Sequence, residues 1–480
     1  MKKRYLAILS LLLALMLAGG ALADIGAAGA PVPVTMLLKD MSSTDEAGLA
    51  YCEAVERALA EQGIYVHLSF IDAPAGTYIE VVPLAVMNEV LTADILYFQG
   101  NTDAQVAAQG FLEDMRPYVE GSTYLKDVMY QHNKDRLENN PALLAATPLD
   151  VFTPVIRQDW VAQLDTYEAL LAEATVDNYY AFFKELQDKG LCEYAVCVYG
   201  DHTRLDSVFD AAFGITTTLV KNADGRWIYK QVTPEMKELL GFYAKLYAEG
   251  LIDPEYLTNT WDVAEEKFYS GKAAMLIGKA GGTVDVYDRQ MQTVNGAGAA
   301  LTALPPAKGE AGQYYIAVDV AKEERGRVIA TDSKVKDAAF AVMDFAASPA
   351  GRVLDLYGVE GFHYDLVDGK ITPKADAPAW YGVFYGSLKG VDPDLKADAP
   401  LGFAGLQSLS LAEAYYVADN KVNLPAEYAA YWDAMNALFK EYASDIIRGQ
   451  RPIDDFDEFV QKWNAAGGDT VGEYLATVME

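Results

Sequence analysis

Cysteine and histidine are scarce in this chain of 480 residues, with three of one and four of the other. Cys52, Cys192 and Cys197 cannot all pair internally, and their spacing suits neither a disulfide framework nor a zinc site. Cys192 and Cys197 lie near enough for a small loop, but free buried thiols are the expectation. His67, His132, His202 and His363 are far apart, without the helical or CxxC-type spacing of a metal site. Three Gly-Lys pairs begin at Gly271, Gly278 and Gly369, and none is followed by Ser or Thr, so no phosphate-binding P-loop exists. Gly296-Ala297-Gly298 runs into Ala299-Ala300-Leu301 and breaks the dinucleotide fingerprint, and no Gly-x-Ser-x-Gly elbow occurs. No cofactor and no metal are expected, and no enzyme chemistry is indicated. A glycosidase-type carboxylate pair cannot be singled out among 69 acidic residues. Positive charge is also short. With 38 Lys and Arg the formal charge is −31, a field that repels nucleic acid and anionic membrane surfaces.

Long apolar runs are lacking as well, with one exception. Lys2, Lys3 and Arg4 precede the mostly apolar Leu6–Leu17, and Ala21-Leu22-Ala23 follows with small-x-small spacing. That is a secretory signal peptide over residues 1–23, too short for a comfortable membrane span. Leu17-Ala18-Gly19-Gly20 looks like a lipoprotein box with glycine in place of the lipid-bearing cysteine. The expectation is therefore cleavage after Ala23 and a soluble, exported protein without a lipid anchor, periplasmic or secreted or at the cell surface.

What remains is an ordinary globular composition, 51% apolar and 22% charged, at a length that favours two lobes over one core. Strand and helix patterns alternate from residue 32. Val32–Leu38 reads as a strand, and Ser43 with Glu46 has capping-box spacing before a helix that stops at Gly63. Ile64, Val66, Leu68 and Phe70 alternate as in a half-buried strand. A helix near Tyr78–Leu91 and a strand at Asp94–Phe98 follow. Strands separated by helices imply a mainly parallel sheet with ligands beyond the carboxyl ends of its strands. Asp40 and Gln99 stand at such ends.

Phe152–Trp160 reads as a crossing into a second lobe and carries Arg157 and Asp159, suited to binding hydroxyls or to forming a hinge ion pair. Tyr194–Tyr199 is strand-like. Asn222-Ala223-Asp224-Gly225 marks a hairpin, and Thr233-Pro234-Glu235 starts a helix. Trp261–Gly282 then reads as a short helix, a glycine stop, a buried strand at Ala273–Ile277 and a glycine-rich exit. Residues 370–400, with four prolines, form the loosest stretch.

Several segments, in order, resemble the extracellular solute-binding proteins of bacterial ABC importers, in the maltose and oligosaccharide branch. They are Ile156-Arg157-Gln158-Asp159-Trp160, the segment from Tyr247 to Glu255, Gly271-Lys272-Ala273-Ala274-Met275, Leu304-Pro305-Pro306, Tyr357–Gly361 and Trp463–Gly468. The resemblance implies an α/β fold of the periplasmic-binding-protein type, with two discontinuous lobes, mainly parallel sheets and hinge strands between them. On this reading lobe one is 24–150 plus 279–347, and lobe two is 151–278 plus 348–480.

It further implies a monomer that captures an oligosaccharide in a cleft between lobes and delivers it to a membrane permease. Trp261, Tyr199 and Trp380 are the candidate stacking aromatics, beside Asp40, Gln99, Arg157 and Asp159 for hydroxyls. Gly278, Gly281 and Gly282 are candidates for hinge or cleft-floor positions. Relatives that bind alginate oligosaccharides often carry an acidic calcium loop. Here Gln187–Cys192 has one carboxylate, which implies no such site. The alternatives are the same fold binding a peptide or another small polar solute, and an exported glycoside hydrolase.

Overall fold

The computed structural model describes residues 25–98, 103–127, 137, 151–317, 326–367, 370–374, 376–378, 380, 382–384, 401–422 and 424–479. The expected signal segment and Gln99 lie outside the described residues. In chain order, the strands that form the two larger sheets are β1 (Val32–Leu37), β2 (Val66–Phe70), β3 (Ile95–Phe98), β4 (Phe152–Arg157), β5 (Tyr194–Val196), β6 (Ala273–Lys279), β7 (Leu301–Ala303) and β8 (Gly326–Ile329). The helices used below are α1 (Glu46–Ala60), α2 (Tyr78–Met87), α3 (Thr203–Phe209), α4 (Trp261–Tyr269), α5 (Gly282–Asn295), α6 (Lys336–Ala347), α7 (Pro349–Tyr357) and α8 (Phe403–Tyr415). The chain divides into two compact units, 1–148 with 320–400 and 149–319 with 401–480.

In the first unit the sheet order is β8-β3-β1-β2, with β1, β2 and β3 parallel and β8 antiparallel to β3. Val34, Met36, Leu68 and Leu96 are buried in its core. Each such side chain contributes roughly 1.5–3 kcal/mol when removed from water. The cap of α1 differs from the sequence expectation. Asp45 is the N-cap, its carboxylate accepting from the Gly48 N–H at 3.0 Å. Ser43 instead donates its N–H and hydroxyl to Asp72, at 2.8 and 2.9 Å. The acid at the end of β2 is a charged acceptor for both donors, and charge-assisted bonds are the stronger ones.

The second unit's sheet runs β5-β6-β4-β7. Only β5 and β6 are parallel, because β4 lies antiparallel to β6 on one side and to β7 on the other. Ala273–Ile277 are all buried, as a five-residue apolar run demands. The helix Pro234–Ala248 begins as its sequence predicts, with the Thr233 hydroxyl accepting from Met236 N–H at 3.2 Å. The expected hairpin pairs Leu219–Lys221 with Trp227–Tyr229. All three cysteines are free, Cys52 and Cys197 buried and Cys192 half-buried. Burial pushes the Cys52 thiol up to about 12, so it is an unreactive core residue.

The expected lobe boundaries need correction. Residues 279–319 go with the second unit, since β6 continues through Lys279 against Phe152 and β7 pairs with β4. Asp285 on α5 also accepts the Gly402 N–H at 2.5 Å, tying α5 to the segment that leads into α8. Residues 348–400 go with the first unit. There Asp355 on α7 accepts the backbone N–H groups of Val383 and Phe384, at 2.9 and 2.7 Å.

Candidate functional site

One end of the second unit's sheet gathers the polar and aromatic groups best suited to a ligand. The parallel strands β5 and β6 finish there, and β4 begins there, with Phe152 opposite Lys279. Tyr199 follows β5 by three residues. α4 begins at the same end, since the Trp261 indole N–H donates to the Tyr287 hydroxyl at 2.9 Å. The Tyr287 ring lies over Gly278, where an added Cβ would come within 2.5 Å of it. Glycine is therefore required at 278 by close approach. Of the six tryptophans, only Trp261 is exposed, at 52%. An indole with one edge tethered and one face in water is a ready platform for the apolar face of a ligand.

Arg204, on α3, completes this cluster. Its guanidinium stands 3.8 Å from the Phe152 ring centre and 5.4 Å from that of Tyr199. Tyr287 lies in the electrostatic reach of Arg204, Tyr199 and Glu265, and its phenol is pushed up chiefly by burial. Burial likewise raises the Glu265 carboxyl, with the Tyr287 hydroxyl pulling the other way.

A buried polar lock joins the two segments that carry Tyr199 and Trp261. Asp253 accepts from Cys197 Sγ at 3.2 Å, Asn259 Nδ2 at 2.7 Å and Lys267 Nζ at 2.8 Å. Asn259 also donates to the Val198 carbonyl at 3.1 Å. Lys267 belongs to α4, and Cys197 and Val198 lead out of β5, so the helix start and the strand exit are fixed together. Burial opposes ionisation of Asp253, but the donors outweigh it and hold its carboxyl below the usual carboxylate value.

Gly281 sits at the N-cap of α5 with φ 83° and ψ −116°. Its N–H donates to the buried Ser408 hydroxyl at 2.9 Å, and a Cβ there would lie 3.1 Å from Leu409. The neighbouring Ala280 N–H binds the Val151 carbonyl at 2.8 Å. Gly281 thus lies where the chain enters this unit at 149 and again at 401. Gly282 has open space around its Cβ position.

Of the residues singled out from sequence, Tyr199, Trp261 and Gly281 come together at this end. Arg157 and Asp159 do not. They follow the other end of β4, five residues from Phe152, or about 16 Å of strand. Arg157 grips Asp159 with two bonds of 2.9 and 2.6 Å and lies over Trp160, so the pair satisfies itself. Asp40 and Trp380 belong to the first unit. Asp40 is exposed at φ 64°, with Lys39 at 3.8 Å. Trp380 packs beside Tyr51 and His363, at 5.3 and 4.9 Å, and its N–H is taken by the Asp355 carbonyl. The ring is half-buried against the first unit's core.

Phe152, Arg204 and Tyr287 were missed from sequence. Arg204 had a signal, as the first basic residue after β5. Tyr287 had none, because nothing in a helical sequence tells that its ring returns to Gly278. Among the described residues, no group of three His, Cys, Asp or Glu could hold a metal ion, and no helix is long and apolar enough to cross a membrane.

Comparison with known proteins places this geometry in context. Residues 53–353 match the family model of the bacterial extracellular solute-binding proteins. An uncharacterised protein from the butB 5′ region of Niallia circulans is 29% identical over 248 residues, covering 49% of this chain and 95% of that protein. The S. pneumoniae ABC-transporter substrate-binding protein FusA, in complex with kestose, superposes with a TM-score of 0.60 at 17% identity, covering 93% of this chain and 97% of that one. The sugar-binding protein MalE of Xanthomonas citri gives a TM-score of 0.57 at 17% identity, over 94% and 100%.

Proposed function

The chain belongs to the bacterial extracellular solute-binding proteins, and from that premise we propose that it captures a carbohydrate, an oligosaccharide, for delivery to an ABC permease. Membership of an extracellular family implies export. The observation that carries the sugar reading is the Trp261 ring, exposed yet tethered by Tyr287, beside Tyr199 and Phe152 at a strand-end edge. Flat aromatic faces suit the C–H face of a pyranose, and neighbouring polar groups suit its hydroxyls. The kestose complex of FusA and the sugar-binding protein MalE, both of the same fold, support the same reading.

The mechanism follows from differential affinity. A solute that touches both units binds best in the arrangement where both reach it, and so shifts an existing open–closed equilibrium. The protein acts as a monomeric receptor without catalysis, matured by cleavage after Ala23 and free of lipid. Intact-mass analysis of the secreted protein tests that processing, since a diacylglycerol adduct would contradict it.

The binding claim is tested by thermal-shift screening of the mature protein against mono- and oligosaccharides, with di- and tripeptides alongside. An oligosaccharide should raise the melting temperature. A shift with peptides and none with sugars would replace the carbohydrate reading by a peptide-binding one.

A further inference from the structure

Among the described residues Arg204 is a basic side chain without an acid, in a chain that has 69 acids to 38 bases. It is half-buried, and no carboxylate among the described residues stands within ion-pair distance of it. The acids nearest in sequence are engaged elsewhere. Asp201 accepts the N–H and the hydroxyl of Thr203, at 2.9 and 2.5 Å. Asp206 is held by Lys230 at 3.4 Å and by the Tyr243 hydroxyl at 3.2 Å. Among the other arginines Arg327 also lies over aromatic rings, Tyr97 and Phe384, without an acid among the described residues, but its guanidinium donates to the Val383 carbonyl at 2.5 Å. Arg157, Arg289, Arg448 and Arg451 each face a carboxylate, and Arg57 and Arg226 stand exposed.

The Phe152 and Tyr199 rings give the Arg204 guanidinium an apolar bed. None of the described residues accepts a hydrogen bond from its five N–H donors, which remain for a ligand. A half-buried donor fork has already lost part of its hydration, and an incoming carboxylate or sulfate meets two parallel donors. Glu265 and Asp262, both on α4, are acids close to this cluster, and neither forms an ion pair with Arg204.

We infer that Arg204 recognises an anionic group on the ligand, which makes the solute an acidic saccharide carrying a carboxylate or a sulfate. This rests on the carbohydrate reading above and narrows it. The stacked aromatics would bind the ring and Arg204 its charge, so neutral sugars of the same size would bind more weakly.

The test is titration calorimetry of the mature protein with three probes, trigalacturonate, its methyl ester and a sulfated chondroitin disaccharide. The panel of neutral oligosaccharides runs beside them, against wild type, Arg204→Met and Arg204→Lys. An acidic probe should bind wild type, lose about tenfold or more in affinity in Arg204→Met, and recover partly in Arg204→Lys. Its affinity should also fall with salt, and the neutral ester should bind like the acid does to Arg204→Met. Whether the uronate or the sulfate responds identifies the anion. Circular dichroism and melting curves confirm that the variants fold. If Arg204→Met unfolds, wild type alone decides through the acid-to-ester affinity ratio. Equal binding of acid and ester, or neutral oligosaccharides bound in preference to both, would overturn the inference and leave the carbohydrate reading standing. No binding by any saccharide, acidic or neutral, would overturn both.

Discussion

At the scale of single residues, backbone conformation and charge pairing decide most outcomes. Gly281 has φ 83° and a Cβ direction 3.1 Å from Leu409. Replacing it with Ala should cost about 1–3 kcal/mol, since that conformation is nearly confined to glycine. A Val there adds a clash, so lost binding in Gly281→Val would come with lost stability. Gly282 lies next to it, but in helical backbone with open space. Gly282→Ala should change stability by less than about 1 kcal/mol and is the matched control in urea unfolding.

Asp210 sets a pH dependence. Burial pushes its carboxyl up to about 7, with Lys230 opposing and Asp206 reinforcing the rise. Lys230 bridges both acids, at 3.4 Å from Asp206 and 2.5 Å from Asp210, so one cation serves two buried carboxylates. The unfolded carboxyl has its ordinary value near 3.8. Between about 4 and 7 the folded state therefore keeps a proton that the unfolded state has lost, and this group's contribution falls as pH rises through that window. Asp210→Asn should flatten the decline, as seen in melting temperatures taken from pH 4.5 to 7.5. An unchanged slope would rule out Asp210 as the source.

At the scale of elements, α4 and β6 carry the candidate site because the Asp253 lock fixes them against the exit of β5. Asp253 is 1% exposed, and Lys267→Met leaves its carboxylate buried without a cation. That should destabilise by about 3–5 kcal/mol, read by chemical denaturation. Trp261→Ala should behave in the opposite way. It removes a half-exposed ring whose one hydrogen bond is to Tyr287, so stability should move by about 1 kcal/mol or less while saccharide affinity falls.

The pattern of apolar runs, glycine stops and caps made these elements readable. Ala273–Ile277, the Thr233 cap and the hairpin at Asn222–Gly225 are all local features. What escaped was long-range in sequence. Arg204 meets Phe152 across 52 residues, and Trp261 meets Tyr287 through a helix turning back on a strand. Arg157 and Asp159 form the ion pair that was one of the two readings open to them, at the end of β4 away from the candidate site. Trp380, beside the proline-rich stretch, stands half-buried next to Tyr51 and His363.

At the scale of the whole molecule, the two-unit organisation was legible from length and strand–helix alternation, but the second and third crossings were placed too early. The strand Ala273–Ile277 looked like an exit from the second unit, and nothing in it reveals that Lys279 continues the ladder or that α5 binds Gly402. With crossings near 149, 320 and 401, three connections join the units. If the solute engages both units, small-angle scattering should show a smaller radius of gyration once an oligosaccharide saturates the protein. An unchanged radius at saturation would confine the site to one unit.

The central claim is saturable capture of a saccharide without chemical change. It is met most directly by titrating the mature protein with oligosaccharides by calorimetry and then recovering the sugar for chromatography. The account predicts one site per chain and a ligand recovered intact. Cleaved sugar would make the protein a hydrolase, and the absence of binding across neutral and acidic oligosaccharides would contradict the account outright.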